Sequence, residues 1–186
     1  MDYEDLKPAP GSLALVQEFV NTRKHLYGGD RLGDVEGANA WLNERGLLRA
    51  GERVDEAGRR RLEAFREELR GVLLAHNGGP GADVDLLNEL VASAALRVRF
   101  EPDGHLALES GAEGEPADRA LGRLLAMAVG AEAEGTWKRL KACRNEDCRW
   151  AFYDASKNRS GSWCTMSVCG ARHKMRAYRR RKSGSR

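Results

Sequence analysis

Cys143-Arg144-Asn145-Glu146-Asp147-Cys148 and, after a gap of fifteen residues, Cys164-Thr165-Met166-Ser167-Val168-Cys169 hold every cysteine of a 186-residue chain. Two matched C-x4-C pairs put two thiolates each on a tight turn. A tetrahedral structural zinc, with sulfur at about 2.3 Å, asks for that arrangement. The x4 gap is not the commonest zinc-ribbon spelling. Two weaker readings stand beside zinc: four unliganded thiols in a small core, and redox-active disulfide pairs. Neither pair is Cys-x-x-Cys, which counts against the second. The charged start around Asp2, Glu4, Asp5 and Lys7 lacks a secretory h-region, and no stretch approaches the roughly 20 apolar residues of a membrane span. The expectation is a cytoplasmic protein with no membrane partner, where clustered cysteines point to metal rather than disulfides. The predicted cofactor is one structural Zn²⁺ on Cys143, Cys148, Cys164 and Cys169.

Charge follows the cysteines. Residues 137–186 contain 15 Lys and Arg against three acids, and the 136 residues before them contain 16 basic and 25 acidic groups. A net charge of +3 therefore conceals an acidic body and a strongly basic end. Local field strength follows local charge, so a polyanion partner is expected at that end. After Cys169 the run from Gly170 to Lys182 reads as a two-sided helix. Arg172, Arg176, Arg179 and Arg180 fall at i, i+4, i+7 and i+8, and Ala171, Met175 and Tyr178 form the opposing stripe, suited to packing on a zinc module. These four arginines are the predicted nucleic-acid contacts, with Lys174 and Arg159 as secondary candidates. The bland alternative is a solvated basic tail. Trp150, Phe152, Tyr153 and Trp163 read as a miniature core for the module rather than as stacking platforms. A module this small needs its metal to fold.

Upstream the period is helical. Leu13, Val16 and Val20 share a stripe beside Leu15 and Phe19, predicting a helix over residues 12–26 that Gly28-Gly29 ends. A shorter helix is expected over 36–48, with Trp41, Leu42, Leu47 and Leu48 for packing. Asp55 caps the clearest helix, where Leu62, Phe65, Leu69, Val72 and His76 are spaced 3-4-3-4. Its pairs Arg59–Glu63, Glu63–Arg66 and Glu67–Arg70 are expected on the solvent side. Asp83 caps a further helix. Leu96-Arg97-Val98-Arg99-Phe100 and Leu106-Ala107-Leu108 alternate around Pro102-Asp103-Gly104, which predicts a β-hairpin. A long helix is expected from residue 117 to about 140, with Gly130 and Gly135 able to interrupt it. The fold class is thus mainly α with one β-hairpin (α+β), comprising a body over residues 1–136 with its own core and a small zinc-ribbon or treble-clef-like finger over 137–186.

Catalytic signatures are missing: no HExxH, Walker or Rossmann fingerprint is present. His25, His76, His105 and His173 are dispersed, and no nucleophile–base pair is evident, so the chain is not expected to be an enzyme. Asn21 and Arg23, following an apolar helix, are weak candidates to line a ligand pocket in the body. A capping or interhelical role is the simpler reading for both.

The stretch Cys143-Arg-Asn-Glu-Asp-Cys148, then Phe152-Tyr-Asp-Ala-Ser-Lys-Asn-Arg159, Trp163-Cys-Thr-Met-Ser-Val-Cys169-Gly and the basic helix resembles the CGNR-type zinc finger of bacteria. Residues 15–22, with Phe19-Val20-Asn21-Thr22, and Trp41-Leu42 resemble the ABATE domain that accompanies it in proposed stress-response transcription regulators. The resemblance covers nearly the whole chain and is specific in the finger. It implies a zinc-dependent DNA-binding transcription regulator, with finger and basic helix on DNA and the body sensing a small molecule or protein partner. The runner-up is a protein-interaction or RNA-binding module with a purely structural zinc. Two positions depart from the family pattern. Ala171 replaces the Asn of the naming motif, and Gly161-Ser162 replaces a basic pair before Trp163-Cys164. Neither removes a zinc ligand; both remove polar groups that could touch a partner.

Overall fold

The computed structural model describes residues 7–111 and 113–183. Residues 1–6, the charged start discussed above, lie outside the described residues. The first helix, α1 (Leu13–Val20), buries the expected stripe of Leu13, Val16, Phe19 and Val20. It stops six residues short of the predicted end. Thr22 folds its hydroxyl back onto the Phe19 carbonyl at 2.8 Å, an alternative to helical hydrogen bonding that short polar side chains offer. The chain then forms an antiparallel bridge between Arg23 and Asp30. Gly28 and Gly29, at φ +76° and +95°, supply the left-handed turn that closes it.

Three aspartates open the next three helices by accepting a backbone N–H three residues on. Asp34 opens α2 (Val35–Glu44), Asp55 opens α3 (Glu56–Ala75) and Asp83 opens α4 (Val84–Val91). The helix α2 ends four residues before the predicted 48 because Gly46 takes φ +64°. Leu47 N–H then donates to the Leu42 carbonyl at 2.8 Å and Gly46 N–H to Asn43 at 3.0 Å, the paired closure of a Schellman cap. The predicted hairpin forms from β1 (Leu96–Phe100) and β2 (Leu106–Ser110), antiparallel with Val98 opposite Leu108. The long helix α5 (Pro116–Ala133) starts with a reciprocal box between Glu115 and Asp118. It ends at Gly135, φ +69°, well before residue 140. Thr136 N–H donating to Ala131 at 2.9 Å repeats the Schellman closure.

A 3₁₀ turn over Trp137–Arg139 leads into a second hairpin, β3 (Leu140–Ala142) with β4 (Ala151–Tyr153). Strands of three residues are too short to show alternation, so the sequence carried no sign of them. A π-helical turn (Met166–Gly170) then runs directly into α6 (Ala171–Ser183).

Helix α3 lies at the centre, packed on α1, α2, α4, α5 and β3. This position overturns one reading: Arg59, Arg66 and Arg70 are buried, at 8%, 0% and 3% exposure, rather than solvated. Arg66 grips both carboxylate oxygens of Asp30 at 2.5 and 2.8 Å, and Arg70 donates to the carbonyls of Val20 and Arg149. With neighbours on several sides, α3 has no broad solvent face, and its guanidiniums find buried acceptors instead.

The hydrophobic core does not stop at residue 136. Leu140, Ala142 and Ala151 join Leu13, Phe19, Trp41, Leu62 and Leu121 in one cluster. Buried hydrogen bonds tie the C-terminal piece to the body. Asn21 donates to the Ala151 carbonyl at 2.9 Å and accepts its N–H at 2.8 Å. Asn77 donates to the carbonyls of Ala142 and Ser162, at 2.8 and 3.0 Å. His76 caps α3, sets Nδ1 2.9 Å from the Leu140 carbonyl and meets Trp137 edge to face. Lys7 accepts from Tyr153 N–H at 2.9 Å through its carbonyl and donates Nζ to the Trp163 carbonyl at 2.9 Å.

Candidate metal centre and nucleic-acid interface

The second hairpin delivers the first thiol pair. Cys143 N–H donates to the Trp150 carbonyl at 2.9 Å, and the Asn145 carbonyl takes Cys148 N–H at 2.8 Å and Arg149 N–H at 3.0 Å. Arg149 occupies the left-handed region, φ +51°, where the knuckle turns back into β4. The second pair is set by Thr165, whose hydroxyl accepts Val168 N–H and caps the π-helical turn carrying Cys169. All four thiols are buried, at 2% exposure or less.

The geometry fits a tetrahedral metal. The four Sγ atoms lie within 4.8 Å of one another, and Cys164 is 3.7 Å from both Cys148 and Cys169. A regular tetrahedron with metal–sulfur bonds of about 2.3 Å has sulfur–sulfur edges of about 3.8 Å. Electrostatics point the same way. Cys143 ionises readily because Cys148 and Cys164 donate to it, and its thiolate pushes both of those thiols upward. Four thiolates at this spacing need a cation among them. Asn145 Nδ2 donates to Cys169 Sγ at 3.5 Å, the outer hydrogen bond that orients a metal-bound thiolate. The chain thus holds one structural zinc on Cys143, Cys148, Cys164 and Cys169.

Around the thiols, Trp150 and Phe152 are buried with Leu26, Trp163 and Val168 packed on them, so the finger's small core includes a leucine of the body. The loop between the cysteine pairs is pinned by a buried ion pair. Lys141 Nζ meets Asp154 at 2.7 Å and the Arg159 carbonyl at 2.6 Å. Burial alone would raise the Asp154 carboxyl, but hydrogen bonds from Lys141 and Ser156 and from the Gly161 amide hold it far below the carboxylate range. A Cβ on Gly161 would sit 2.8 Å from that carboxylate. A side chain at Gly161 would therefore force the pinned Asp154 carboxylate to shift.

Helix α6 leaves the zinc turn with most of its surface in solvent. Its rotation differs from the predicted one. Met175 and Tyr178, expected against the module, are 57% and 61% exposed. The seat is made instead by the His173 ring stacked on Trp163, centroids 4.8 Å apart, and by Arg176 paired with Asp147 at 2.5 Å. His173, Arg176 and Arg180 consequently face a cleft shared with Arg144 and Trp163. Arg172, Lys174 and Arg179 are exposed on the helix, and Arg159 is exposed on the pinned loop. The predicted cations thus share the finger's surface, but not one helix flank.

The weak candidates separate. Asn21 caps α1, pairs with Ala151 and borders a cavity between α1, α2 and the finger. Arg23 lies outside that cavity, 3.9 Å from Glu63. Sequence reasoning missed the cavity's cations, Lys24, Arg31 and Arg45, because residues from three separate segments make the site.

Residues 139–182 match the family model described as CGNR zinc finger, and residues 13–134 match the ABATE model, described as “Putative stress-induced transcription regulator”. No curated protein matches the chain. Among the described residues no helix is long and apolar enough to cross a membrane.

Proposed function

The chain belongs to the ABATE family, carrying a CGNR zinc finger after the family domain, and from that membership we propose that it is a zinc-dependent DNA-binding transcription regulator. The finger and α6 hold the duplex, and the body senses a ligand or partner. The observation that carries this reading is α6 itself, an exposed basic helix that continues without a break from the turn holding Cys169. Zinc fixes the base of that helix, so its cations are presented from a rigid support. The acidic body repels phosphate, which leaves the finger as the surface a polyanion meets. Arg172 and Arg179, seven residues apart on one outward flank, supply primary contacts. Arg176 and Arg180 reach phosphate across the cleft, Arg176 at the cost of its pair with Asp147. Lys174 and Arg159 add secondary contacts. Both matched families are regulator and zinc-finger families, and the reading assigns the chain no catalysis.

Salt dependence tests it. Four neutralised phosphates give a slope of roughly −3.6 in log K against log salt, and R172Q/R179Q should flatten it by about 1.8 while zinc content stays at one per chain. A uniform loss across sequences marks positioning contacts; a loss on one sequence marks base readout. The exposed Met175 and Tyr178 favour the alternative, a protein-interaction role. Binding of duplex DNA that is absent, or indifferent to the double substitution, would move that alternative ahead.

A further inference from the structure

We propose that the cavity between α1, α2 and the finger binds a small aromatic monocarboxylic acid, and that the bound acid acts on the finger through Asn21 and Ala151. The proposal deepens the regulator reading and rests on it only for the effect on DNA.

The cavity measures about 200 Å³, below the roughly 300–1,000 Å³ that drug-sized ligands occupy. It suits a single ring with one short substituent. Trp41 and Trp150, both buried, form aromatic walls, and Pro8 and Ala14 complete the apolar side. The polar side is cationic. Lys24, Arg31 and Arg45 line it against one carboxylate, Glu18. Glu44 lies behind and bridges the two guanidiniums, 3.5 Å from Arg31 and 3.3 Å from Arg45, which holds them side by side. Glu18 and Glu44 are about half exposed, so both can rotate into water when an incoming carboxylate takes their place. Guanidinium forks favour a planar carboxylate bound through two oxygens. Aromatic walls favour a ring stacked or edge-on against indole. Charge and shape together select an aromatic acid over a neutral aromatic or an aliphatic diacid.

The connection to the finger is short. Trp150 stands two residues after Cys148, and the next residue, Ala151, has both its N–H and its carbonyl held by the Asn21 side chain. Gln17, also bordering the cavity, donates to the same carbonyl at 3.1 Å. A ring pressed on Trp150 therefore loads the strand that leaves the first thiol pair. Linkage requires that DNA then change the acid's affinity by the same factor.

The experiment titrates the zinc-loaded full chain with benzoate, phenylacetate and, as the neutral control, benzamide, reading tryptophan emission. Both acids should quench saturably, with benzamide at least tenfold weaker. R31Q/R45Q should weaken the acids at least tenfold while zinc content and melting temperature hold. Because those arginines also pair with Glu18 and Glu44, Ala14→Leu serves as a second variant. It fills the cavity from a helical site and should abolish binding of acid and amide alike with the fold retained. Absence of saturable quenching by both acids, equal binding of benzamide, or unchanged affinity in R31Q/R45Q and in Ala14→Leu would each overturn the site. The DNA arm is separate. A DNA affinity that benzoate shifts in the wild type but not in Asn21→Ala supports the coupling. Benzoate binding with DNA affinity unmoved overturns the coupling, and benzoate binding by a chain that holds no DNA overturns the regulator reading and leaves the site standing.

Discussion

Arg66 reaches both oxygens of Asp30 from a side chain with no exposed surface, and Thr22 Oγ1 takes a further hydrogen bond from it at 3.1 Å. Removing the carboxylate leaves the buried guanidinium with Glu67, at 2.7 Å, as its close anionic partner, so Asp30→Asn should cost about 1.5–3 kcal/mol in urea denaturation. Adding Arg66→Met to Asp30→Asn should recover part of that loss, since it removes the underpaired buried charge. The pH dependence has a definite sign. Burial alone would raise the Asp30 carboxyl, but hydrogen bonds from Arg66 and the Leu32 amide, with the Arg66 charge, hold it below the ordinary value. Its contribution is complete above the unfolded carboxyl value of about 3.9 and is lost as pH falls through the lower folded value. Asp30→Asn should therefore flatten the acid limb of the stability curve below about pH 4. At this scale the sequence announced its cysteines and two of its three aspartate caps, Asp55 and Asp83, because each works within a few residues. It kept back Arg66, whose partner is 36 residues away, and Asn21, whose partner is 130 away. Helical spacing showed Arg66 only the carboxylate at i−3, a pair 3.8 Å long.

Among the elements, two of the three misjudged helix ends, those of α2 and α5, have one cause. Leu47, Leu48 and Leu140 are buried beyond their helices, so the apolar pattern runs on where the backbone has already turned. What ends each helix is a left-handed glycine, Gly46 or Gly135. Gly135→Ala should cost about 1–2 kcal/mol, a left-handed residue's penalty, and lower the melting temperature by a few degrees. The rotation of α6 was equally hidden. Alanine, methionine and tyrosine formed the apolar stripe, yet a ring stack and an ion pair on the other side fix the helix. His173→Ala with Arg176→Gln should raise amide hydrogen exchange throughout α6 without releasing zinc, because neither residue is a ligand. Protection unchanged in that variant would mean that the π-helical turn alone holds the helix.

For the molecule as a whole, the charge boundary near residue 136 was legible, but the core crosses it. Leu140, Ala142 and Ala151 lie in the body's cluster while Cys143 and Cys148 flank the same hairpin. Stripping the metal should therefore lower the stability of the body as well as the finger. Calorimetry with a zinc chelator is expected to move a single transition downward, and hydrogen exchange in α1 and α3 should accelerate with it. Two transitions, with only the lower one sensitive to chelator, would show that the core is divided after all. The Lys7 contact extends this to the time a chain takes to be made. Its ammonium donates to a carbonyl 156 residues downstream, and translation at about 5–20 residues per second separates the two partners by roughly 8–30 s. For most of that interval a nascent chain presents α1 without the strand that Asn21 pairs with, and throughout it a metal site with two thiols at most. A ribosome paused between the cysteine pairs would hold a polypeptide able neither to close its core nor to retain zinc, and so exposed to proteases and chaperones until the final turn emerges.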